Sequence, residues 1–453
     1  MKVKDIINVC SGKLLFGDLE EEVNNFSKDT RTINKNDVYV GIKGDNFDGN
    51  EFYLDAFDKG ANVCILDNDK IDYKNIDGKT IILVDNSIKA IQKLAIYKRS
   101  LYDIPVIAVT GSVGKTSTRN IIYTVLSEKY NVLKTEGNYN NDIGVPLTIL
   151  GLNNQNLMII EMGMNHLGEI KLLSEIAKPT HAVITNVGTA HIGNLGSREN
   201  ILKAKLEIIE GLCKDGKLYI NNDNDMLHSH LDEIKEKVDV VTIGIDNTSD
   251  YMATNIKEDA FESNFKINDF DYKINVGGRA FIYNSLMAYA LGKEFNLTNE
   301  EIKKGINNVK LEKNRLEKII GTKGETIIND TYNASFDSIK NAIDLLSKSN
   351  SKRKILLLGD ILELGEYSED IHRNIGKEIL NHKFDEIILV GNDVKYIKEE
   401  LINNSYNANI YLYKKESETY ELLDNLLNKD DIILLKGSHG INLVNIVRHL
   451  TQK

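Results

Sequence analysis

Three shortages limit what this chain can be. In 453 residues there are only three prolines and three cysteines, and no apolar run approaches the length of a membrane span. A crossing helix needs about 20 apolar residues, so membrane insertion is not expected. Cys10, Cys64 and Cys213 lie far apart and fit no metal-ligand spacing, and each sits in or beside an apolar segment, as packed thiols do. The opening residues, MKVKDIINVCSGKL, lack the apolar core and cleavage site of a signal peptide, which points to a cytoplasmic protein. Positive charge is also in deficit. A net charge of −11 argues against nucleic acid or an anionic membrane as partner. Any phosphate must then be held by local devices: helix N-termini, a few lysines and metal ions.

What is present is globular, with 42% hydrophobic and 27% charged residues. The chain is too long for one ordinary core, so two or three domains are expected. Residues 1–103 read as a small α/β unit, with β-branched runs at 37–43, 62–67 and 80–85 and helical spacing at 50–60 and 87–102. From Val106 strands and helices alternate. The runs 106–110, 157–161, 181–187, 217–221 and 241–244 are continuously apolar, as strands of a parallel sheet covered on both faces must be. Period-2 alternation over 251–276 suggests an added antiparallel meander, followed by helices near 281–295 and 299–308. A third α/β set, with strands at 326–330, 354–360, 386–391, 409–413 and 431–437, begins near Asn314. The expected fold is therefore α/β with three domains in series, 1–103, 104–313 and 314–453. The first is small, the central one carries a P-loop and a parallel sheet, and the last is Rossmann-like. No low-complexity tract or short repeat interrupts them.

The sharpest chemical signal is VIAVTGSVGKTSTRN, at 106–120. An apolar strand runs into Gly111, Ser112, Val113, Gly114, Lys115, Thr116 and Ser117, and a helical pattern follows. Glycines there allow successive backbone N–H groups to surround a phosphate at a helix N-terminus. Lys115 would supply charge to the β- and γ-phosphates, and the Thr116 hydroxyl would ligate Mg²⁺. Only two residues separate the glycines, where the general motif has four, a form uncommon among GTPases and ATPase motors. The guanine-specificity spacing of Asn34-Lys35-Asn36-Asp37 precedes the loop and reads as a polar turn. Glu161, at the end of the run LMIIE, is placed to hold Mg²⁺ at the edge where open α/β sheets bind ligands. His191, just past the run at 181–187, is delivered toward the same edge as Thr116 and Glu161.

These segments resemble the Mur ligases of bacterial cell-wall synthesis over essentially the full length. The resemblance rests on TGSVGKTST, KTEGNYNNDIGVPLTIL (134–150), IIEMGMNHLGEI (159–170), TNVGTAHIGNLGSRENILKAKLEI (185–208), INDTYNASFDS (328–338) and LLGDILELGEYSEDIHRNIG (357–376). It implies an ATP-dependent amide ligase using two Mg²⁺ ions. Such a ligase joins D-alanyl-D-alanine to UDP-MurNAc-tripeptide through an acyl phosphate, and the chain is expected to act as a monomer. The resemblance also implies a carbamylated lysine at Lys205 that shares the second Mg²⁺ with His191. Spacing alone makes Lys205 a solvated helix-face residue. Carbamylation requires a neutral amine, and an ordinary lysine titrates near about 10.4, so Lys205 would need a desolvated or cationic setting.

By the same resemblance, Asn284, Arg315, Asp330 and Asn333 grip the nucleotide, and Asn138, Asn140 and Asn141 lie near the substrate and phosphates. Thr30, Arg31, Lys43, Gly44, Asp48 and Gly49 match segments that bind the uridine nucleotide, although turn chemistry accounts equally for Asp48 and Gly49. The chain departs from the family pattern at Ala280, Phe281, Ser335, Phe336, His439 and Val444. Histidine at 439 stands where the family has arginine, which can hold a carboxylate bidentately. These departures bear on the acceptor, so a divergent relative with a different amino-acid or dipeptide acceptor is the alternative. A folylpolyglutamate synthetase is disfavoured by the full N-terminal unit. A nucleotide switch is disfavoured by the grouping of Glu161, His191 and Lys205.

Overall fold

The computed structural model describes residues 1–452. It contains three sheets in series. The first has five strands in the order Lys13–Phe16, Thr80–Leu83, Val63–Leu66, Val38–Val40 and Phe26–Ser27, of which only Lys13–Phe16 runs antiparallel. The central sheet has nine strands. Its parallel part runs Tyr251–Glu258, Asp239–Gly244, Lys217–Asn221, His181–Ile184, Val106–Thr110, Leu157–Glu161 and Val132–Lys134. Beyond Asp239–Gly244 lie Tyr251–Glu258, Ser263–Ile267 and Phe270–Ile274, so the alternating stretch does form a meander on the sheet edge. The last sheet has six strands, five parallel and one, Glu317–Ile320, antiparallel at the edge.

Strands Val106–Thr110 and Leu157–Glu161 are buried at every residue, which explains their unbroken apolar runs. Several expected elements are shorter. The apolar stretch 181–187 stops being a strand at Ile184, because Thr185 and Asn186 turn to bind the phosphate loop. The helical pattern at 50–60 is a 3₁₀ turn, Gly49–Phe52, leading into a helix at Tyr53–Asp58.

Helix Ser87–Ser100 decides how the first two sheets relate. Asn86 caps it by accepting from the Lys89 N–H at 2.8 Å, and Ala90, Ile91, Leu94 and Ala95 form its buried face. That face completes one continuous apolar cluster. The cluster runs from Val3 and Ile6 of the first helix to Ile149, Ile160 and Leu173 beside the central sheet. Gln92 and Arg99 add bonds to the carbonyls of Asp142 and Ala177 across the same contact. The last sheet has separate apolar clusters on its two faces, and Ala260 and Phe261 of the meander tip and Ile192 of the central domain pack into one of them. Among the described residues no helix is long and apolar enough to cross a membrane.

Candidate active site

The phosphate loop joins strand Val106–Thr110 to helix Lys115–Leu126. Gly111 has φ +152°, and a Cβ there would lie 1.8 Å from Thr185 Oγ1. Gly114 caps the helix at φ +86°, a left-handed conformation that glycine adopts without strain. The loop is held from the neighbouring strand end. Thr185 Oγ1 donates to the Val113 carbonyl (2.7 Å), and Asn186 Oδ1 accepts from the Val113 N–H (2.9 Å). Lys115 Nζ donates to the Gly111 carbonyl at 2.9 Å, folded back over the loop. Burial lowers its pKa, against the opposing pull of Glu161.

Thr116 Oγ1 donates to Glu161 Oε1 at 3.3 Å, and Asn140 Nδ2 donates to the same oxygen at 2.9 Å. The helix start, a strand end and the asparagine loop thus meet on one carboxylate. His191 stands at φ +65°, with its buried Nδ1 lacking a hydrogen-bond partner among the described residues and lying 3.8 Å from Glu363 Oε2. Burial, then the nearby Lys115, Lys205 and His166, lower its pKa to about 4, so the ring is neutral at physiological pH.

Lys205 overturns the reading from spacing. It is 1% exposed and has no hydrogen bond or ion pair among the described residues. Burial, with Lys115 nearby, pushes its pKa well below the ordinary lysine range. A solvated helix-face lysine would show neither property. Its helix, Arg198–Leu206, buries Ile201, Leu202, Ala204 and Lys205 together.

The last sheet closes the space from the other side. A cavity of about 710 Å³ is lined by Ser112, Val113, Gly114, Lys115, Thr116, Ser117, Asn138, Asn140, Asn141, Glu161, His191, Asn284, Arg315, Asp330 and Asn333. Ala280, Phe281 and His439 line it too, whereas Gly111, Lys205, Phe336 and Val444 do not. Asn284 Oδ1 accepts from Thr118 Oγ1 at 2.9 Å, which sets its amide against Gly114. Arg315 donates to Thr116 Oγ1 at 3.3 Å, its guanidinium lying 4.0 Å from the centre of the Tyr332 ring. Lys436 is 2% exposed, and its Nζ donates to Asp330 Oδ2 (2.6 Å) and to the Asn333 carbonyl (3.0 Å). Ser335, one of the departures, caps helix Phe336–Ser347.

The first sheet contributes a smaller hollow of about 400 Å³, lined by Lys43, Asp48, Asn50, Asp67, Asn68 and Lys70 among others. Asp48 also caps the turn at 49–52 through the Asn50 N–H, so turn chemistry accounts for part of its place. Gly49 is packed on Ile42, where a Cβ would meet its carbonyl at 2.5 Å. Thr30, Arg31 and Gly44 do not line the hollow, and the exposed Arg31 side chain pairs with Asp29 at 2.6 Å.

Two groups escaped the sequence reading. Arg119, fully buried, contacts Glu161 and Glu312, and Asp337 accepts from the Thr189 N–H two residues before His191. Both lie within quoted segments, but nothing local marks their roles, because these partners are 42 to 193 residues away.

A phosphate loop facing a carboxylate, a neutral imidazole and a second α/β domain defines a nucleotide-dependent ligase site. The chain belongs to the Mur ligase family: residues 109–292 match the Mur ligase middle domain and 314–439 the Mur ligase, glutamate ligase domain. It is 35% identical to the UDP-N-acetylmuramoyl-tripeptide–D-alanyl-D-alanine ligase of Bacillus subtilis, covering 99% of this chain and 98% of that protein. A crystal structure of MurF from Acinetobacter baumannii aligns with a TM-score of 0.89 at 27% identity, covering 100% of this chain and 99% of that one. A MurF ligase from Thermotoga maritima in complex with ADP aligns with a TM-score of 0.81 at 25% identity, covering 94% and 97%.

Proposed function

We propose that this enzyme is an ATP-dependent ligase that adds D-alanyl-D-alanine to UDP-MurNAc-tripeptide, supplying a peptidoglycan precursor. One observation carries the reading. A single cavity brings the phosphate loop and Glu161 of the central domain together with Arg315, Asp330, Asn333 and His439 of the last. Activating a carboxylate with ATP and then presenting an amine requires those two faces at once.

The chain's own groups account for the chemistry as follows. Phosphate-loop N–H groups and Lys115 hold the β- and γ-phosphates while the tripeptide carboxylate attacks the γ-phosphorus and ADP departs. Catalysis of this kind is positioning plus neutralisation of charge. The dipeptide amine then attacks the acyl carbon, and phosphate leaves. Asn284, Arg315, Asp330 and Asn333 grip the nucleotide, Asn138, Asn140 and Asn141 face the substrate, and the hollow at Lys43 and Asp48 takes the uridine nucleotide. Thr30, Arg31, Gly44 and Gly49 shape its surroundings.

The donor set fits divalent cations. Thr116 and Glu161 offer oxygens side by side, and His191 offers a nitrogen with no hydrogen bond, on a neutral ring. Mg²⁺ bound there would neutralise charge on the phosphates and the forming acyl phosphate. A neutral, unpartnered Lys205 amine suits carbamylation: nitrogen adds to the carbon of CO₂ and loses a proton, leaving an anionic carbamate for the second ion. We take the functional division to fall near residues 103 and 313, and the enzyme to work as a cytoplasmic monomer.

The deciding assay is phosphate release with ATP, UDP-MurNAc-tripeptide and D-alanyl-D-alanine, each omitted in turn. Release should require all three. ATP turnover indifferent to the muramoyl peptide would falsify the assignment, and preference for another acceptor would favour the divergent relative.

A further inference from the structure

Arg119 is among the largest fully buried side chains of the protein, and although it ends the phosphate-loop segment it has been given no role in binding phosphate. Its guanidinium uses all five of its N–H donors. Nε and Nη2 donate to Asn120 Oδ1 (3.2 and 3.0 Å), and Nη1 donates to the Gly137 carbonyl and to Glu161 Oε2 (3.0 Å each). Nη2 also donates to the Glu312 carboxylate. Five donors in a rigid plane are available only to arginine; lysine offers three from a point charge.

The acceptors belong to three separate parts of the site. Glu161 ends the strand Leu157–Glu161, and Gly137 precedes the asparagine loop at 138–141. Glu312 lies in the connector between helix Asn299–Asn307 and strand Glu317–Ile320, three residues before Arg315. A buried ion pair is weak support for stability, since apolar groups of similar volume often do as well. Its geometry is more informative here. With Oε2 taken by Arg119, Glu161 presents Oε1 to Thr116 and Asn140, the side on which the proposed cation would bind.

We propose that Arg119 is a positioning residue that fixes the orientation of Glu161 and makes it depend on the connector at Glu312 and the loop at Gly137. Any movement of the connector that withdraws Glu312 removes one anchor of the guanidinium and frees the carboxylate it orients. Cation binding and seating of the last domain are thereby coupled through one side chain. The inference rests on the ligase reading only for the identity of the reactants.

The test is calorimetric titration of ADP into the full chain at a series of Mg²⁺ concentrations, for the parent, R119K, E312Q and the double variant. Loss of an outer partner should raise the half-saturating Mg²⁺ on the order of ten-fold in R119K and roughly three-fold in E312Q. The double variant should match R119K, because Glu312 acts through Arg119. ADP affinity at saturating Mg²⁺ should hold, which a general loss of packing would not allow. A folded R119K with parental Mg²⁺ half-saturation overturns the proposal, as do additive effects. Should R119K not fold, E312Q decides alone, and an unchanged Mg²⁺ requirement refutes the coupling. Failure of the ligase reading would show separately, as Mg²⁺-dependent ADP binding in a parent that releases no phosphate with its proposed substrates.

Discussion

Thr189 and Asp337 join the two halves of the cavity: the Thr189 backbone N–H donates to Asp337 Oδ2 at 3.0 Å. The adjacent Gly188 is what allows this approach, since a Cβ there would lie 2.0 Å from the same oxygen. G188A is expected to push the last domain off its seat and raise the KM for ATP at least tenfold, with the fold retained. D337A should raise it less than G188A does, because it removes one hydrogen bond without introducing a clash. The double variant should recover to the level of D337A alone, since the clash needs both partners. Steady-state kinetics on the four proteins would decide, and a double variant as poor as G188A would refute the steric account.

Lys205 poses a trade between stability and activity. Its folded pKa lies well below the unfolded value, so the unfolded chain binds more protons and folding gains as pH rises through that interval. K205M removes the buried amine. In bicarbonate-free buffer near neutrality it should melt a few degrees above the parent, the shift expected of roughly 1 kcal/mol in a large domain. The same variant should lose turnover, and short carboxylic acids should restore part of it in K205A. Normal turnover in K205A would exclude a carbamate role.

His191 should stay neutral over the working pH range. Its pKa of about 4 lies below the ordinary imidazole value of 6.5, so the stability associated with its neutral ring is present above pH 6.5 and is lost as pH falls toward 4. Ring resonances followed by NMR in the metal-free protein should show no titration between pH 8 and 5. A midpoint near 6.5 would contradict the burial described.

Leu94 tests the union of the first two sheets. It is 0% exposed within the shared cluster, and L94A should destabilise by about 2–5 kcal/mol. Differential scanning calorimetry should show one transition for residues of both sheets moving down together, while a transition from the last domain stays in place. Two separately shifting transitions from the first and central domains would disprove the union.

His439 faces the cavity from the last domain. H439A should raise the KM for the dipeptide several-fold and leave that for ATP unchanged. Equal effects on both substrates would remove it from the acceptor side.

Much of this architecture was legible because buried parallel strands write themselves as continuous apolar runs. Leu157–Glu161 and Ile432–Lys436 are buried throughout and were found nearly to the residue. The strands that escaped are short and half-exposed at sheet edges: Val132–Lys134 and Glu317–Ile320 lack both the apolar run and clean alternation. The phosphate loop was readable because its chemistry is local, set by glycines, Lys115 and Thr116 within six residues. Lys205 was legible only by resemblance, since its burial depends on the packing of a whole helix against the central sheet. Arg119 was invisible for a related reason. Nothing within its own helix announces Glu312, which is 193 residues away.

Helix Ser87–Ser100 has one more consequence. By fusing the first two sheets into a single packed body, it fixes the separation between the hollow at Lys43 and the phosphate loop. In the proposed complex the muramoyl peptide is stretched between those two points, anchored by its nucleotide at one end and reacting at the other. The enzyme then measures its substrate as a caliper does. A peptide one residue too short leaves its carboxylate shy of the γ-phosphate, and one too long overshoots, with no pocket needed to inspect the residue that was added or lost.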